Sequence, residues 1–319
     1  MSVRWGLLST ARINDKLLGA GGDRFVAVAS RSAERAREYA EQRGIERAFG
    51  SYEELLGDAG VDAVYIGLPN GMHVEWATRA LQAGKHVLCE KPMSRHPAEI
   101  EAVFDLADSQ GLILAEAFMW RHHPQVSRAR ELIAEGAVGR LRHLRAAFSF
   151  VLTDPGDVRL QTALEGGALM DVGCYCVSGC RTLAGAEPER VYAEQVTGGD
   201  GVDVRTAAVM RFPDDVSATF DCAFDVDNRD ELEVIGDAGS LFLDDPWHGG
   251  EPVIEVRRGG EVGLERLPAA DSYALELEDF EAAVGGRRPP LLGRDDALGQ
   301  ARTIAALYQS ASDGIPVCP

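Results

Sequence analysis

Four groups of residues carry the side chains that chemistry would need. Lys91 follows a β-rich run at residues 86–90. A lysine at the carboxyl end of a parallel strand can donate a hydrogen bond to a carbinol or carbonyl oxygen. Asp171 and Tyr175 stand four apart in a helical run, so both face one side and can meet one substrate. Ser30-Arg31-Ser32, with Arg35 one turn later, closes the second β-rich run. Arginine between two hydroxyls suits a phosphate, whereas a carboxylate at that place would suit an unmodified ribose diol. Gly6-Leu7-Leu8-Ser9-Thr10-Ala11-Arg12-Ile13-Asn14 turns from the first strand into a helix, where free N–H groups and a positive dipole end can hold a pyrophosphate. Its glycine fingerprint would fall on Ser9, Ala11 and Asn14, so all three glycines are replaced, and an ordinary strand-to-helix turn is the other reading. The Ser9 and Thr10 hydroxyls are further donors for a phosphate there.

These groups need a scaffold, and the pattern supplies one. Short β-rich runs at 3–8, 25–30, 61–68, 86–90 and 112–116 alternate with amphipathic helices, which implies βαβ units around a parallel sheet. The helix at 32–43 puts Ala36, Tyr39 and Ala40 on one face and stops at Gly44. Ser51-Tyr52-Glu53-Glu54 has capping-box spacing, Val74, Ala77 and Leu81 repeat at helical spacing, and Pro97 opens the helix of Ile100, Val103 and Phe104. From residue 141 the chain reads as hairpin-joined strands at 141–152, 191–197, 203–212, 216–224, 231–235, 241–243 and 253–256, with helices at 167–183, 273–284 and 295–312. The expected architecture is an α/β Rossmann N-terminal domain at 1–120 plus an α+β C-terminal domain at 121–319 with a large, mostly antiparallel open sheet. One face of that sheet should lie under helices and the other should pair copies into a homodimer or homotetramer.

Composition removes other classes. The 319 residues hold 32 Lys and Arg against 51 Asp and Glu, a net charge of −19, which repels nucleic acid and anionic membrane surfaces. No apolar run approaches the roughly 20 residues of a membrane span. The first eight residues carry a four-residue apolar run that reads as an opening strand rather than a secretory leader, so a cytoplasmic protein is expected. Six cysteines then read as reduced thiols. Cys174, Cys176 and Cys180 lack a Cys-x-x-Cys pair and a nearby histidine, so they read as small core residues and no metal is expected.

Four longer motifs follow one another along the chain. They are Tyr65-Ile66-Gly67-Leu68-Pro69-Asn70 with His73; Gly84-Lys85-His86-Val87-Leu88-Cys89-Glu90-Lys91-Pro92; Glu116-Ala117-Phe118-Met119-Trp120-Arg121-His122-His123-Pro124-Gln125; and Gly166-Gly167-Ala168-Leu169-Met170-Asp171-Val172-Gly173-Cys174-Tyr175. In this order they resemble the glucose-fructose oxidoreductase / inositol dehydrogenase (Gfo/Idh/MocA) family across essentially the whole chain. The resemblance implies that Lys91 is catalytic and that Leu68, Pro69, Asn70, His73, Glu90, Trp120 and Arg121 lie on the cofactor side with Ser9, Thr10, Ala11, Arg12 and Ile13. Tyr175 stands where many members have histidine, which resembles the glucose-fructose oxidoreductase, dihydrodiol dehydrogenase and sugar ketoreductase branch, whose tyrosine exchanges the hydroxyl proton. A free phenol titrates near pH 10, so Lys91 as a neighbouring cation would help. Arg159, just before the helix of Asp171, is a candidate for a substrate hydroxyl.

The expected function is hydride transfer between NADP(H), favoured over NAD(H) by Arg31, and a secondary alcohol or ketone of a sugar or cyclic polyol. Asp171 would orient that substrate. Two alternatives stand beside it: a 3-keto reductase of nucleotide-activated deoxysugars, and a non-catalytic dinucleotide-sensing regulator.

Overall fold

The computed structural model of the protein describes residues 3–250 and 252–319. They form two compact units, Met1–His122 with Tyr273–Leu298, and His123–Ser272 with Gly299–Pro319.

The first unit begins β1 (Trp5–Leu8), α1 (Asn14–Gly21), β2 (Phe25–Ala29), α2 (Ala33–Arg43), β3 (Arg47–Phe49) and α3 (Tyr52–Leu56). It continues β4 (Ala63–Ile66), α4 (His73–Gln82), β5 (His86–Glu90), α5 (Pro97–Gln110) and β6 (Leu114–Ala117). The six strands are parallel in the order β3-β2-β1-β4-β5-β6. Strands β1 and β4 are buried at every residue, as a sheet with both faces covered requires. The order reverses between β1 and β4, and ligands of such sheets bind at the carboxyl ends of the strands around that point. The helices keep their sequence punctuation. Ser32 caps α2 by accepting from the Arg35 N–H, and Gly44 ends it at φ 68°. Ser51 likewise accepts from Glu54 N, but the Glu54 carboxylate reaches back to Gly50 N, one residue before the expected partner.

The second unit holds α6 (Pro124–Ala134), β7 (Leu141–Val151), a π-helical turn at Leu169–Gly173 and α7 (Cys174–Ala184). Its remaining strands are β8 (Arg190–Thr197), β9 (Asp203–Arg211), β10 (Ser217–Ala223), β11 (Asp225–Gly236), β12 (Gly239–Asp244), β13 (Val253–Arg258) and β14 (Glu261–Arg266). They join β7 in the order β14-β13-β12-β11-β7-β10-β9-β8, antiparallel at each pairing but β10 with β7. Along β9, Thr206, Ala208 and Met210 are buried while Arg205, Ala207, Val209 and Arg211 are exposed, so the sheet has one covered and one open face. The open face carries charge as well as apolar surface: Glu233 lies 3.6 Å from Arg145 and 3.7 Å from Arg257.

The last two helices are α8 (Ser272–Val284) and α9 (Arg294–Asp313). The contiguous division at 120/121 does not describe the units, because Tyr273–Leu298 returns to the first. Leu277 and Phe280 enter the same core as Trp5, Leu17 and Phe25. The Trp5 ring lies 5.0 Å from that of Phe280, and its Nε1 donates to Glu281 Oε1 at 3.0 Å.

Candidate functional site

In the first unit the turn between β1 and α1 is shaped by Ser9, which sits at φ 134°, a region normally left to glycine. Its hydroxyl accepts from Ala11 N at 3.2 Å and donates to Gly67 O at 2.8 Å, while its carbonyl accepts from Asn14 Nδ2 at 2.9 Å. The Ser9 proton is therefore committed to Gly67 rather than offered to a phosphate, and Ser9 acts by shaping the loop. No side chain caps α1. Thr10, Ala11 and Ile13 are half-buried and Arg12 is exposed. At the end of β2, Ser30 is buried and its hydroxyl accepts from Ser32 N at 3.4 Å. Arg31 and Arg35 are exposed, and among the described residues neither forms an ion pair.

The end of β5 delivers Glu90 and Lys91, both half-buried, ahead of a cis Lys91-Pro92 peptide. The Glu90 carboxylate turns inward, accepting the Tyr65 hydroxyl and the Lys91 N–H, the latter at 3.2 Å. Burial and the facing Glu90 push the Tyr65 phenol well above its ordinary range. Glu276 of α8 joins this group. It is 2% exposed, and burial reinforced by Glu90 and Asp279 raises its carboxyl well above the usual range. The His73 ring is buried, with Nδ1 2.9 Å from Pro92 O and Nε2 2.8 Å from Leu68 O, so it ties the loop after β4 to the loop after β5. Leu68, Pro69 and Asn70 line the former loop and are half-buried. Trp120 is buried, and Arg121 is held by Asp296 at 3.0 Å.

In the second unit Asp171 belongs to the π-helical turn and Tyr175 to α7, so the pair straddles a change of helix rather than sharing one regular helix. Such π segments often mark functional positions. Two close approaches place it. A side chain on Gly173 would meet Cys222 Sγ at 2.7 Å, and one on Gly166 would meet the Arg159 carbonyl oxygen at 2.2 Å. Gly167 donates to that same carbonyl at 2.8 Å. Arg159 is thereby brought beside Asp171, Nε to Oδ2 2.8 Å, and also pairs with Asp157 at 3.3 Å. A buried carboxylate anchors the start of the turn: Asp203 accepts from Leu169 N at 2.7 Å, Tyr308 Oη at 2.7 Å and Thr206 Oγ1 at 2.9 Å. Tyr175 stands against Phe148 and Trp247, with ring centroids 5.3 Å and 5.9 Å away.

Asp203, Glu276, Phe148 and Trp247 escaped the sequence reading, because a lone acidic or aromatic residue in a strand or helix carries no local signal of its partner. His122 and His123, adjacent in the chain, have different partners: His122 Nε2 lies 3.3 Å from Asp279, while His123 caps α6. Cys174, Cys176, Cys180 and Cys222 are buried, and burial pushes Cys180 up to about 12. Among the described residues, the group with metal-ligand spacing is Asp230, Asp245 and His248, whose imidazole already bonds both carboxylates.

Residues 6–118 match the oxidoreductase family with an NAD-binding Rossmann fold, and residues 126–242 match the GFO/IDH/MocA C-terminal domain. D-xylose 1-dehydrogenase (NADP(+)) 2 of Haloferax volcanii is 39% identical, over 99% of both chains. Trans-1,2-dihydrobenzene-1,2-diol dehydrogenase of Bos taurus is 35% identical, over 80% of this chain and 78% of that one. A solved 3-ketoreductase from Actinomadura kijaniata in complex with NADP and TDP-benzene superposes with a TM-score of 0.91 at 32% identity, covering 97% of this chain and 98% of the other. Motifs, strand order and identity along the full length agree, and the chain belongs to the GFO/IDH/MocA family of oxidoreductases.

Proposed function

We propose that the protein is an NADP(H)-dependent oxidoreductase acting on a secondary alcohol or ketone of a sugar or cyclic polyol. The observation that carries this reading is Lys91 at the carboxyl end of β5, next to the point where the strand order reverses, in a chain whose relatives use NADP. The residues of the first unit suit the dinucleotide. The glycine-like Ser9 lets the backbone approach a pyrophosphate, and α1 offers it an uncapped N-terminus. Arg31, exposed and followed by the Ser32 cap, suits a 2′-phosphate. When bound, the nicotinamide supplies or accepts the hydride.

The protein's own groups handle the oxygen and its proton. The Lys91 ammonium donates to the reacting oxygen and stabilises its negative charge. Tyr175 gives or takes the hydroxyl proton, and Asp171, oriented by Arg159, accepts from a neighbouring hydroxyl. Because Arg159 already serves Asp157 and Asp171, it is a poor diphosphate anchor, which weighs against a nucleotide-activated substrate. Retention of Lys91, Asp171 and Tyr175 weighs against a purely sensory role.

The open sheet face supports pairing of two copies, since Val209 is 48% exposed among charged ladders of both signs. Among the described residues no helix is long and apolar enough to cross a membrane, and the free cysteines support a reducing, cytoplasmic setting. The test is an initial-rate screen of NADP+ and NAD+ against aldoses including D-xylose, inositols and trans-diols, repeated with Lys91→Met and Tyr175→Phe. The expected result is NADP+-preferring turnover that falls about a hundredfold or more in kcat in each variant with NADPH binding unchanged. Wild-type kcat in Lys91→Met overturns the mechanism.

A further inference from the structure

The loop between β12 and β13 is strapped down by a charge cluster that the reaction itself does not use. Asp245, at φ 55°, donates its N–H to Asp230 O at 3.0 Å. One Asp230 carboxylate oxygen accepts from Trp247 N at 3.2 Å, and the other meets His248 Nδ1 at 2.6 Å. That nitrogen also lies 3.2 Å from Asp245 Oδ1, while Asp245 Oδ2 accepts from Gly250 N at 2.8 Å. The two carboxylates therefore grip the backbone on both sides of His248, and the imidazole stands between them.

What this strap holds is Trp247. The indole is 0% exposed and donates to Ala147 O at 3.1 Å. It packs along α7 so tightly that a side chain on Gly179, one turn beyond Tyr175, would meet it at 2.7 Å. The ring of Trp247 reaches Tyr175, and it stacks on Phe148 at 6.3 Å, itself edge-on to both Tyr175 and His248. Tyr175 thus has a two-ring backing whose outer side is closed by His248.

We propose that His248, gripped by Asp230 and Asp245, is a positioning residue that holds Trp247 and Phe148 against Tyr175 and so fixes the phenol for proton transfer. The proposal rests on the proton-transfer role given to Tyr175. A charged imidazolium is what lets two carboxylates share one small space. The hydrogen bond that His248 donates to the Asp230 carboxylate raises the His248 titration above its ordinary value, while burial raises Asp230 itself. Among the described residues His123, which caps α6, also lies against this loop beside Gly249 and is lowered by burial. The two histidines therefore titrate on opposite sides of about 6.5. Since His248 is raised, the strap is complete while the imidazole is protonated and Asp230 is ionised, and it is lost as pH rises through the folded value of His248.

The test compares wild type, His248→Gln, His248→Arg and Tyr175→Phe between pH 5.5 and 9, reading tryptophan emission, kcat and KM with the best substrate of the screen. In wild type a step in emission with a midpoint above 6.5 is expected, absent in His248→Gln and His248→Arg. His248→Gln should lose about tenfold in kcat at pH 6.5 with KM changed less than twofold, a loss that narrows at alkaline pH as the wild-type strap also opens. His248→Arg, which keeps the positive charge, should restore kcat. An unaltered emission step in His248→Gln overturns the strap, and a lost step with wild-type kcat overturns the positioning role. Wild-type kcat in Tyr175→Phe overturns the catalytic reading of Tyr175, and with it the positioning role; the emission step judges the strap either way.

Discussion

Replacing Gly166 by alanine should disable the substrate side of the enzyme without touching a reacting group. The new Cβ would lie 2.2 Å from the Arg159 carbonyl oxygen and 2.6 Å from its carbon, both backbone atoms that cannot rotate away. Ordinary contact would need roughly 1 Å of backbone movement, and forcing atoms into a packed site costs about 1–3 kcal/mol. Losing the Gly167 to Arg159 hydrogen bond adds about 1 kcal/mol. The movement pulls Arg159 from its 2.8 Å contact with Asp171. A displacement of that size near reacting atoms lowers kcat/KM by up to about a hundredfold. The assay is steady-state kinetics with the best substrate of the screen, beside a thermal melt and NADPH binding by fluorescence. NADPH affinity should stay within about twofold of wild type, since the residues assigned to the dinucleotide belong to the first unit. Gly199→Ala is the control, because a Cβ there meets nothing within 4 Å. A kcat/KM for Gly166→Ala within twofold of the control would refute the link from this close approach to Asp171.

Cofactor choice should follow Arg31: Arg31→Ala should raise the Kd for NADPH by about ten- to a hundredfold and leave NADH nearly unchanged, and Arg31→Asp should reverse the preference, as isothermal titration of both cofactors would read. Glu276 gives a pH signature. Its folded-state carboxyl is raised, so wild type loses stability as pH rises above the unfolded value of about 4.3, and Glu276→Gln should be spared that loss, with the gap widening up to the folded value in denaturant titrations. EDTA should leave turnover intact, and a loss restored by zinc would reassign either the Asp230, Asp245 and His248 group or the buried thiols.

The parallel sheet of the first unit was legible because its strands are short apolar runs bounded by caps and glycines, and strand 86–90 came out with both ends in place. Strand β3 was not: three half-buried residues give no period to read. The edge strand β14 is exposed at most positions and charged, so alternation fails there too. Arg31, Lys91, Asp171 and Tyr175 were legible as candidates because each stands near an element end or a glycine pair. What supports them was not. Asp203 anchors the turn of Asp171 from 32 positions further along the chain, and Glu276 approaches Glu90 from a helix that local periodicity assigns to the other half. The regular helix expected for Asp171 and Tyr175 gave way to a π turn because Gly173 lets the backbone settle against Cys222, a contact invisible to helical periodicity.

The return of Tyr273–Leu298 to the first unit also sets a clock on the ribosome. Trp5 and Glu281 are 276 positions apart, and at about 5–20 residues per second their meeting waits roughly 14–55 s after Trp5 is polymerised. Once β6 has been made, and until α8 follows, the nascent chain carries a parallel sheet whose Trp5 and Phe25 side lacks Leu277 and Phe280. Such a surface invites chaperones, and it makes a fragment ending at residue 122 a candidate for aggregation rather than a usable dinucleotide-binding domain. The arrangement also means that the first unit is completed only after the strands of the second have been synthesised, so a truncated chain is left with an incomplete first unit.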